Sequence, residues 1–253
     1  MSASEASPRS AAQCSAVIPP LLCTGGLISS GSKLFAALAA FPSSFFSAGG
    51  ILPERYSSRA AWNTNLVKKE EEPKQYEDFA DPRWKNRLIA EPRDLEMLLG
   101  FAKYKFKDDE KAIALWKKIA ANNVEFHSGH SQLAELLVAG QAAVCLTCYS
   151  HHYPSRIKKG APLNYMLSEG VASINATAIF KDAPHPNTAL LFARWMASID
   201  GQKAMAQGGR TPAHPKVEPV DKTRTEKIYP ISVADLKEFP KYEKIWKQIF
   251  RLR

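Results

Sequence analysis

The chain has 253 residues, of which 45% are hydrophobic and 23% charged, and its formal net charge is +9. This length can hold one large domain or two ordinary ones, and the composition excludes a largely disordered chain. Basic residues alternate with acidic ones, as at residues 68–72, so the positive charge does not predict a nucleic-acid-binding protein.

Residues 1–50 differ in composition from the rest of the chain. They are rich in Ser, Ala, Gly and Pro, and the only charged residue between Arg9 and Glu54 is Lys33. The apolar run at 34–41 is followed by small residues, as in a secretion signal, but it begins roughly thirty residues too late for one. Residues 1–50 are therefore either a signal-like leader or a disordered one. No run of about 18 apolar residues predicts a membrane-spanning helix.

Strands and helices alternate in the sequence from residue 51 onward. An extended segment is predicted at 60–67 and a strand at 87–90, and Asp94 is expected to cap the next helix with its carboxylate. The clearest helix follows Asp108, because acidic residues crowd its start and lysines its end, in accord with the helix dipole. A strand at 124–126 then leads through a turn into a helix that ends at Gly140.

The second half of the chain continues this alternation. Strands are predicted at 142–149, 162–167 and 173–180, and a helix is predicted after Asn187. A short helix follows at 201–206, and the last helix is interrupted at Pro240. The alternation predicts an α/β layer architecture.

Cys145 and Cys148 resemble a metal-binding pair, but the strand predicted at 142–149 contradicts that interpretation. Residues three apart on a regular strand point to opposite faces, with their Cα atoms about 10 Å apart. A disulfide requires less than about 7 Å, and a shared zinc ion requires both thiolates on one side. We therefore expect two separate buried packing residues.

Polar residues follow the predicted strands at 124–126 and 142–149. If both strands end at the same edge of the sheet, His130, Tyr149, Ser150 and His151 lie together there. The turn containing Ser128 allows two interpretations: a serine caps the helix, or the free N–H groups bind an anion. Arg93 and Arg210 either hold a carboxylate or phosphate or lie on the surface.

Several short sequences, taken together and in order, resemble one protein family. They are AWNTNLV at 61–67, PKQYED at 73–78, DPRWK at 81–85, APHPN at 183–187, FARW at 192–195, SIDGQ at 198–202 and GRTP at 209–212. They resemble the periplasmic solute-binding proteins of ABC importers, in the group that contains the ferric-ion-binding proteins.

The resemblance implies an α/β, periplasmic-binding-protein-like two-lobed fold with a complete second lobe and a partial first lobe. Residues 51–80 and 166–253 would form the partial first lobe with the hinge crossings, and residues 81–165 the second lobe, while residues 1–50 remain an unmatched leader. The implied function is capture of a small solute, either iron or a small anionic or organic ligand, and its delivery to an ABC permease in the inner membrane. The implied protein is a periplasmic monomer without catalytic activity or a cofactor.

The residues that the resemblance and the strand ends assign to the ligand cleft are Trp62, Asn63, Ser128, Gly129, His130, Tyr149, Ser150, His151, Glu169 and Arg210. Tyr149 and His151 are the candidates for a metal contact. Ferric iron favours oxygen ligands, and only one phenol lies at the expected position, so iron specificity is not predicted. Two alternatives stay open: a metal-dependent enzyme that uses the histidine cluster, and a truncated remnant without function.

Overall fold

The computed structural model describes residues 54–175, 179, 183–220 and 225–252. The predicted leader at 1–50 lies outside these residues. The strands of the described part are β1 Glu54–Asn63, β2 Leu88–Ala90, β3 Glu125–Phe126, β4 Val144–Tyr149, β5 Leu163–Tyr165, β6 Glu169–Asn175, β7 Thr211–Pro212 and β8 Lys227–Pro230.

The α-helices of the described part are α1 Glu96–Gly100, α2 Asp109–Ala120, α3 His130–Val138, α4 Pro154–Lys158, α5 Pro186–Ala197, α6 Ile199–Gln207 and α7 Phe239–Phe250. A π-helical turn, Phe101–Lys105, continues α1. Among the described residues, no helix combines the length and the apolar character needed to span a bilayer.

The strands form one mixed sheet in the order β3-β2-β4-β1-β6-β8, with β5 and β7 also paired to β1. Strand β2 is parallel to both β3 and β4, whereas β1 runs antiparallel to β4 and β6. Because β2, β3 and β4 are parallel, their carboxyl ends meet at one edge. That edge is where the polar residues predicted after β3 and β4 lie.

Most of the predicted elements are confirmed, with shifted ends. The segment predicted at 60–67 begins earlier and stops at Asn63, because the Asn63 side chain accepts the N–H of Asn65 and its carbonyl accepts those of Leu66 and Val67. These hydrogen bonds turn the chain out of the sheet. The strand predicted at 173–180 is present up to Asn175, and its remainder falls mostly outside the described residues.

Helix α2 is the element that the sequence predicts best. Asp108 caps it by accepting the N–H of Lys111, and Ala112, Leu115, Trp116 and Ile119 form its buried side. Helix α7 packs against this side, with Trp246 5.0 Å from Trp116 in an edge-to-face contact. The division of the chain into lobes at residues 80 and 165 stays a prediction, but α7, predicted with the first lobe, contacts α1 and α2.

A buried carboxylate ties three separate segments to the start of β6. Glu169 is 3% exposed, and it accepts hydrogen bonds from the Tyr76 N–H at 2.7 Å and the Tyr229 hydroxyl at 3.0 Å. The Lys105 ammonium lies 2.7 Å from the same carboxylate and also reaches Glu77 at 2.6 Å. Glu169 therefore has a structural role in which its oxygens are used within the protein.

Neutralising Glu169 will destabilise the fold. In Glu169→Gln, Lys105 keeps Glu77 but loses its buried partner, and loss of a hydrogen bond between charged groups costs about 2 kcal/mol. Urea denaturation of the full chain measures this loss. The matched control, Glu226→Gln at an exposed position, is expected to change the free energy of unfolding by less than about 0.5 kcal/mol. Equal stability of the two variants would contradict the structural role of Glu169.

Candidate functional site

Three parallel strands end at the edge of the sheet where the candidate site lies. Glu91 follows β2, His127 follows β3, and the 3-10 turn Ser150–His152 follows β4. The strands are held in register by pairing of Ile89 with both Glu125 and Cys145. The carboxyl edge of such a sheet is the usual place for a ligand in α/β proteins.

Cys145 and Cys148 form a disulfide in the structure, which corrects the prediction of two separate packing residues. Their Cα atoms lie 6.0 Å apart. Between the pairs Arg59–Cys148 and Ala61–Cys145, β1 advances two residues while β4 advances three. The extra residue is a β-bulge, which places both cysteines on the face shared by Arg59 and Ala61. The regular strand assumed from the sequence has no such bulge.

The disulfide can be tested directly. Trypsin digestion yields the peptide 119–156, which contains both cysteines. Mass spectrometry of a non-reduced digest will show this peptide lighter by two hydrogen atoms than the same peptide after reduction. Replacing both cysteines by alanine will lower the free energy of unfolding by about 2 kcal/mol, from the closure entropy of so short a loop. Recovery of the peptide with two free thiols from freshly purified protein would contradict the bridge.

Two buried carboxylates and one partly buried imidazole lie close together at this edge of the sheet. Glu91, Asp94 and His130 each offer a donor atom, and these atoms all lie within 4.8 Å of one another. Asp94 Oδ1 is 3.3 Å from His130 Nε2. Among the described residues, Asp94 Oδ2 and His130 Nδ1 are buried without a hydrogen-bond partner. Asp94 therefore does not act as the predicted helix cap, and α1 begins two residues later, at Glu96.

Arg93 connects this group to the surface. Its backbone N–H donates to Glu91 Oε2 at 2.6 Å, and its guanidinium donates to Glu91 Oε1 at 2.6–2.7 Å. The Arg93 side chain is 77% exposed, whereas that of Glu91 is 1% exposed. The carboxylate that Arg93 contacts is thus one of the protein's own, and the Arg93 side chain lies mostly on the surface.

Aromatic rings line the other side of the group. The His130 ring stacks on Tyr149 with centroids 3.4 Å apart, and His151 lies 5.8 Å from Tyr149. His152 follows at 4.3 Å from His151. The rings form a row along the edge of the sheet, tilted by 39–40° after the first stacked pair, and aromatic faces of this kind can contact a small solute.

Burial shifts the ionisation of the acids in this region. It raises the pKa of Asp94 well above its usual value; a hydrogen bond with the Thr147 side chain opposes the rise, and nearby Glu91 adds to it. Burial likewise raises the pKa of Glu96 to about 8, with Asp94 adding to the effect. It lowers the pKa of His130. Because burial disfavours charge in each case, a cation that pairs with the carboxyl groups would relieve the cost of ionising them.

His151 and His152 have strongly lowered pKa values. Burial is the main cause and brings the pKa of each to about 4, with Arg210 adding at His151 and His151 adding at His152. Arg156 and His130 are further positive or ionisable groups that act on both. Arg210 is thus close enough to His151 to influence its charge.

These lowered pKa values predict a loss of stability in mild acid. As the pH falls below about 6.5, the histidines of the unfolded chain bind protons, whereas those of the folded chain stay neutral until about pH 4. The contribution of these two histidines to the free energy of unfolding is therefore complete above pH 6.5 and is lost toward pH 4, whereas the raised pKa values of Asp94 and Glu96 act in the opposite sense. In urea denaturation, lowering the pH from 7 to 5 will cost the unmodified chain more free energy of unfolding than it costs His151→Asn/His152→Asn.

The control for this pH experiment is a histidine on the surface. His185 is exposed, so His185→Asn should retain the pH dependence of the unmodified chain. If the double variant at 151 and 152 has the same pH dependence of stability as the unmodified chain, the lowered pKa values of His151 and His152 are contradicted.

The structure brings together most of the predicted site residues. Ser128, Gly129 and His130 form the turn before α3, and Tyr149, Ser150 and His151 end β4 beside it. Arg210 joins them, as its effect on His151 shows. The anion site predicted at Ser128 stays a prediction.

Three predicted residues lie elsewhere. Trp62 pairs with Val144 at the start of β4, about 16 Å along the strand from Tyr149 at its end. Trp62 donates to Glu72, and Asn63 donates to the Leu137 carbonyl. Glu169 belongs to the structural ion pair described above. The contacts of these three side chains are within the protein.

Sequence reasoning did not include Glu91 and Asp94 in the site. Both follow the strand predicted at 87–90. The sequence signal that could have found them is that polar residues follow this strand as well as the strands at 124–126 and 142–149. Only the order β3-β2-β4 shows that β2 lies between the other two strands, directly under the cluster.

Comparison with known proteins identifies the group to which this architecture is similar. The model of the bacterial extracellular solute-binding protein family matches residues 33–230. No curated protein matches the chain significantly in sequence.

Solved structures with a similar fold include iron-bound HitA from Pseudomonas aeruginosa, at 20% identity and a TM-score of 0.64, covering 79% of this chain and 68% of HitA. AfuA from Actinobacillus pleuropneumoniae, with bound fructose-6-phosphate, has 20% identity and a TM-score of 0.65, covering 81% and 68% of the two chains. MotA from A. tumefaciens B6, in complex with glucopine, has 19% identity and a TM-score of 0.65, covering 87% and 80%. These likenesses confirm the predicted periplasmic-binding-protein-like fold.

Proposed function

Because the chain belongs to the family of bacterial extracellular solute-binding proteins, we propose that it captures a small solute and delivers it to an ABC permease in the inner membrane. The proposal includes a periplasmic location, a monomeric state and transport without catalysis. The observation that carries it is the cluster at the carboxyl edge of the sheet, where Asp94 and His130 keep buried polar atoms without partners among the described residues.

The geometry indicates how a solute would be held. Tyr149 and His130 form a stacked pair beside the buried Asp94, and the turn at Gly129 is open, with no atom within 4 Å of where a side chain would begin. A solute lying on the rings would supply partners for the polar atoms that lack them, which is favourable because unsatisfied buried groups are costly.

The opposite side of the proposed solute site is formed by residues from the later part of the chain. A side chain at Gly209 would begin 3.6 Å from the His151 carbonyl, so the backbone at 209–210 approaches the turn after β4. Arg210 stands at this point. In our proposal, movement of this segment relative to β4 opens and closes the site, as hinge motions do in two-lobed binding proteins.

The bound solutes of the similar structures differ, and they are starting points for identifying the solute. HitA contains iron, AfuA a sugar phosphate and MotA glucopine. Ferric iron held by two phenolates is not favoured here. The second phenol, Tyr153, is fully buried, and burial raises its pKa, so its phenolate form is disfavoured. Tyr149 then remains as the single phenol among the described residues of this edge.

Solute binding at the ring stack can be tested by thermal unfolding. A solute present at 100 times its Kd stabilises the folded chain by about 2.7 kcal/mol. For a chain of this size, the midpoint should rise by roughly 5–10 °C. The first solutes to test are ferric citrate, fructose 6-phosphate and glucopine, together with small molecules released by denaturing the freshly purified protein and identified by mass spectrometry.

Tyr149→Ala should weaken the affinity for the solute roughly tenfold, through loss of one stacking surface. Phe192→Ala is the matched control, since Phe192 is 57% exposed and distant in sequence from the cluster, and it should retain full affinity. If no solute shifts the unfolding transition, or if both variants bind equally well, this site does not perform the proposed function.

A further inference from the structure

The three side chains Glu91, Asp94 and His130 have the composition of a metal site. They provide two carboxylates and one imidazole with donor atoms within 4.8 Å of one another. Donors about 2.1 Å from one tetrahedral ion lie about 3.4 Å apart. The Asp94–His130 pair already has this spacing at 3.3 Å, whereas a pair at the 4.8 Å limit of the cluster would have to close by about 1.4 Å through side-chain rotation.

A second observation is independent of this composition. Asp94 is 2% exposed, and its Oδ2 has no hydrogen-bond partner among the described residues; the buried Nδ1 of His130 is in the same condition. Buried polar atoms are nearly always satisfied, so exceptions call for a missing partner. A metal cation can accept lone pairs from the oxygen and the nitrogen together.

Arg93 occupies both oxygens of the Glu91 carboxylate in the structure. Its guanidinium contacts Glu91 Oε1 at 2.6 Å and thereby supplies a positive charge to the cluster. Since the Arg93 side chain is 77% exposed, it can turn into solvent and release that oxygen. A guanidinium beside the carboxylate is thus a competitor that an incoming cation would displace.

We propose that Glu91, Asp94 and His130 bind one divalent transition-metal ion, of the class of Zn²⁺, Mn²⁺ or Fe²⁺, as the solute of this protein. The mixed nitrogen and oxygen donors suit these ions, whereas Ca²⁺ and Mg²⁺ prefer oxygen alone. The proposal rests on the proposed solute-binding function and names its substrate class. It differs from the sequence-based expectation, which placed a metal contact at Tyr149 and His151.

The first experiment uses the unmodified full chain. After treatment with a chelator and dialysis, titration with ZnCl₂ and MnCl₂ by calorimetry should show saturable binding of one ion per chain, while MgCl₂ should not compete. Crystals grown with ZnCl₂ should show an anomalous scattering peak within bonding distance of Asp94 and His130. A peak elsewhere, or no saturable binding, would overturn the proposal without any need for a variant.

Substitutions then test each ligand. Asp94→Asn and His130→Gln should each weaken Zn²⁺ binding at least tenfold, whereas Asp200→Asn and His185→Gln, at exposed positions of the same residue types, should leave it unchanged. Arg93→Gln should strengthen binding severalfold, since it removes the competing charge. A cluster with only a structural role would not respond in this way to loss of Arg93. Affinity that stays unchanged in both ligand variants, or that falls in Arg93→Gln, would overturn the proposal.

The outcome also separates this proposal from the more general one. One possible result is that an organic solute binds in a way that depends on Tyr149, and that protein stripped of metal by a chelator still binds it. In that case the metal proposal fails and the solute-binding function stands. If neither metal ions nor organic solutes shift the unfolding transition, both fail.

Discussion

The antiparallel pairing of β1 with both β4 and β6 is the constraint on which the rest of the structure depends. Strand β1 also pairs with β5 and β7, so it joins the parallel group β3-β2-β4 to strands from the later part of the chain. Pairing with β1 accompanies the bulge in β4, and β7 pairs with β1 on the same side as β4, at Glu54 and Arg55 and opposite β6. Residues 209–210, just before β7, reach the turn after β4 for this reason.

The candidate site depends on how the sheet is ordered. Since β2 lies between β3 and β4, the acids that follow β2 lie under the imidazole that begins α3 and the phenol that ends β4. Burial at this position makes Asp94 costly to ionise, and it leaves Asp94 and His130 with polar atoms that the described part of the chain does not satisfy. This condition is the reason for proposing a ligand that carries positive charge.

Local signals in the sequence predicted the elements well where the physics is local. The cap at Asp108 and the apolar side of α2 follow from backbone N–H groups at a helix start and from a period of 3.6 residues. The same holds for Tyr242 and Trp246, which are buried on α7 as their spacing indicates. Strand ends were placed less well, because Asn63 leaves the sheet through hydrogen bonds of its own side chain.

The composition, the periodicity and the order of motifs by themselves determined the α/β class, the family and the strand ends near which His130 and Tyr149 lie. Only the tertiary structure decided that Cys145 and Cys148 are bonded, because the bulge that turns them to one face is a property of the pairing with β1. Only the tertiary structure added Glu91 and Asp94 to the site and separated Trp62, Asn63 and Glu169 from it. The physical reason is the same in each case: sheet order and register are contacts between distant segments, and spacing along the chain does not specify them.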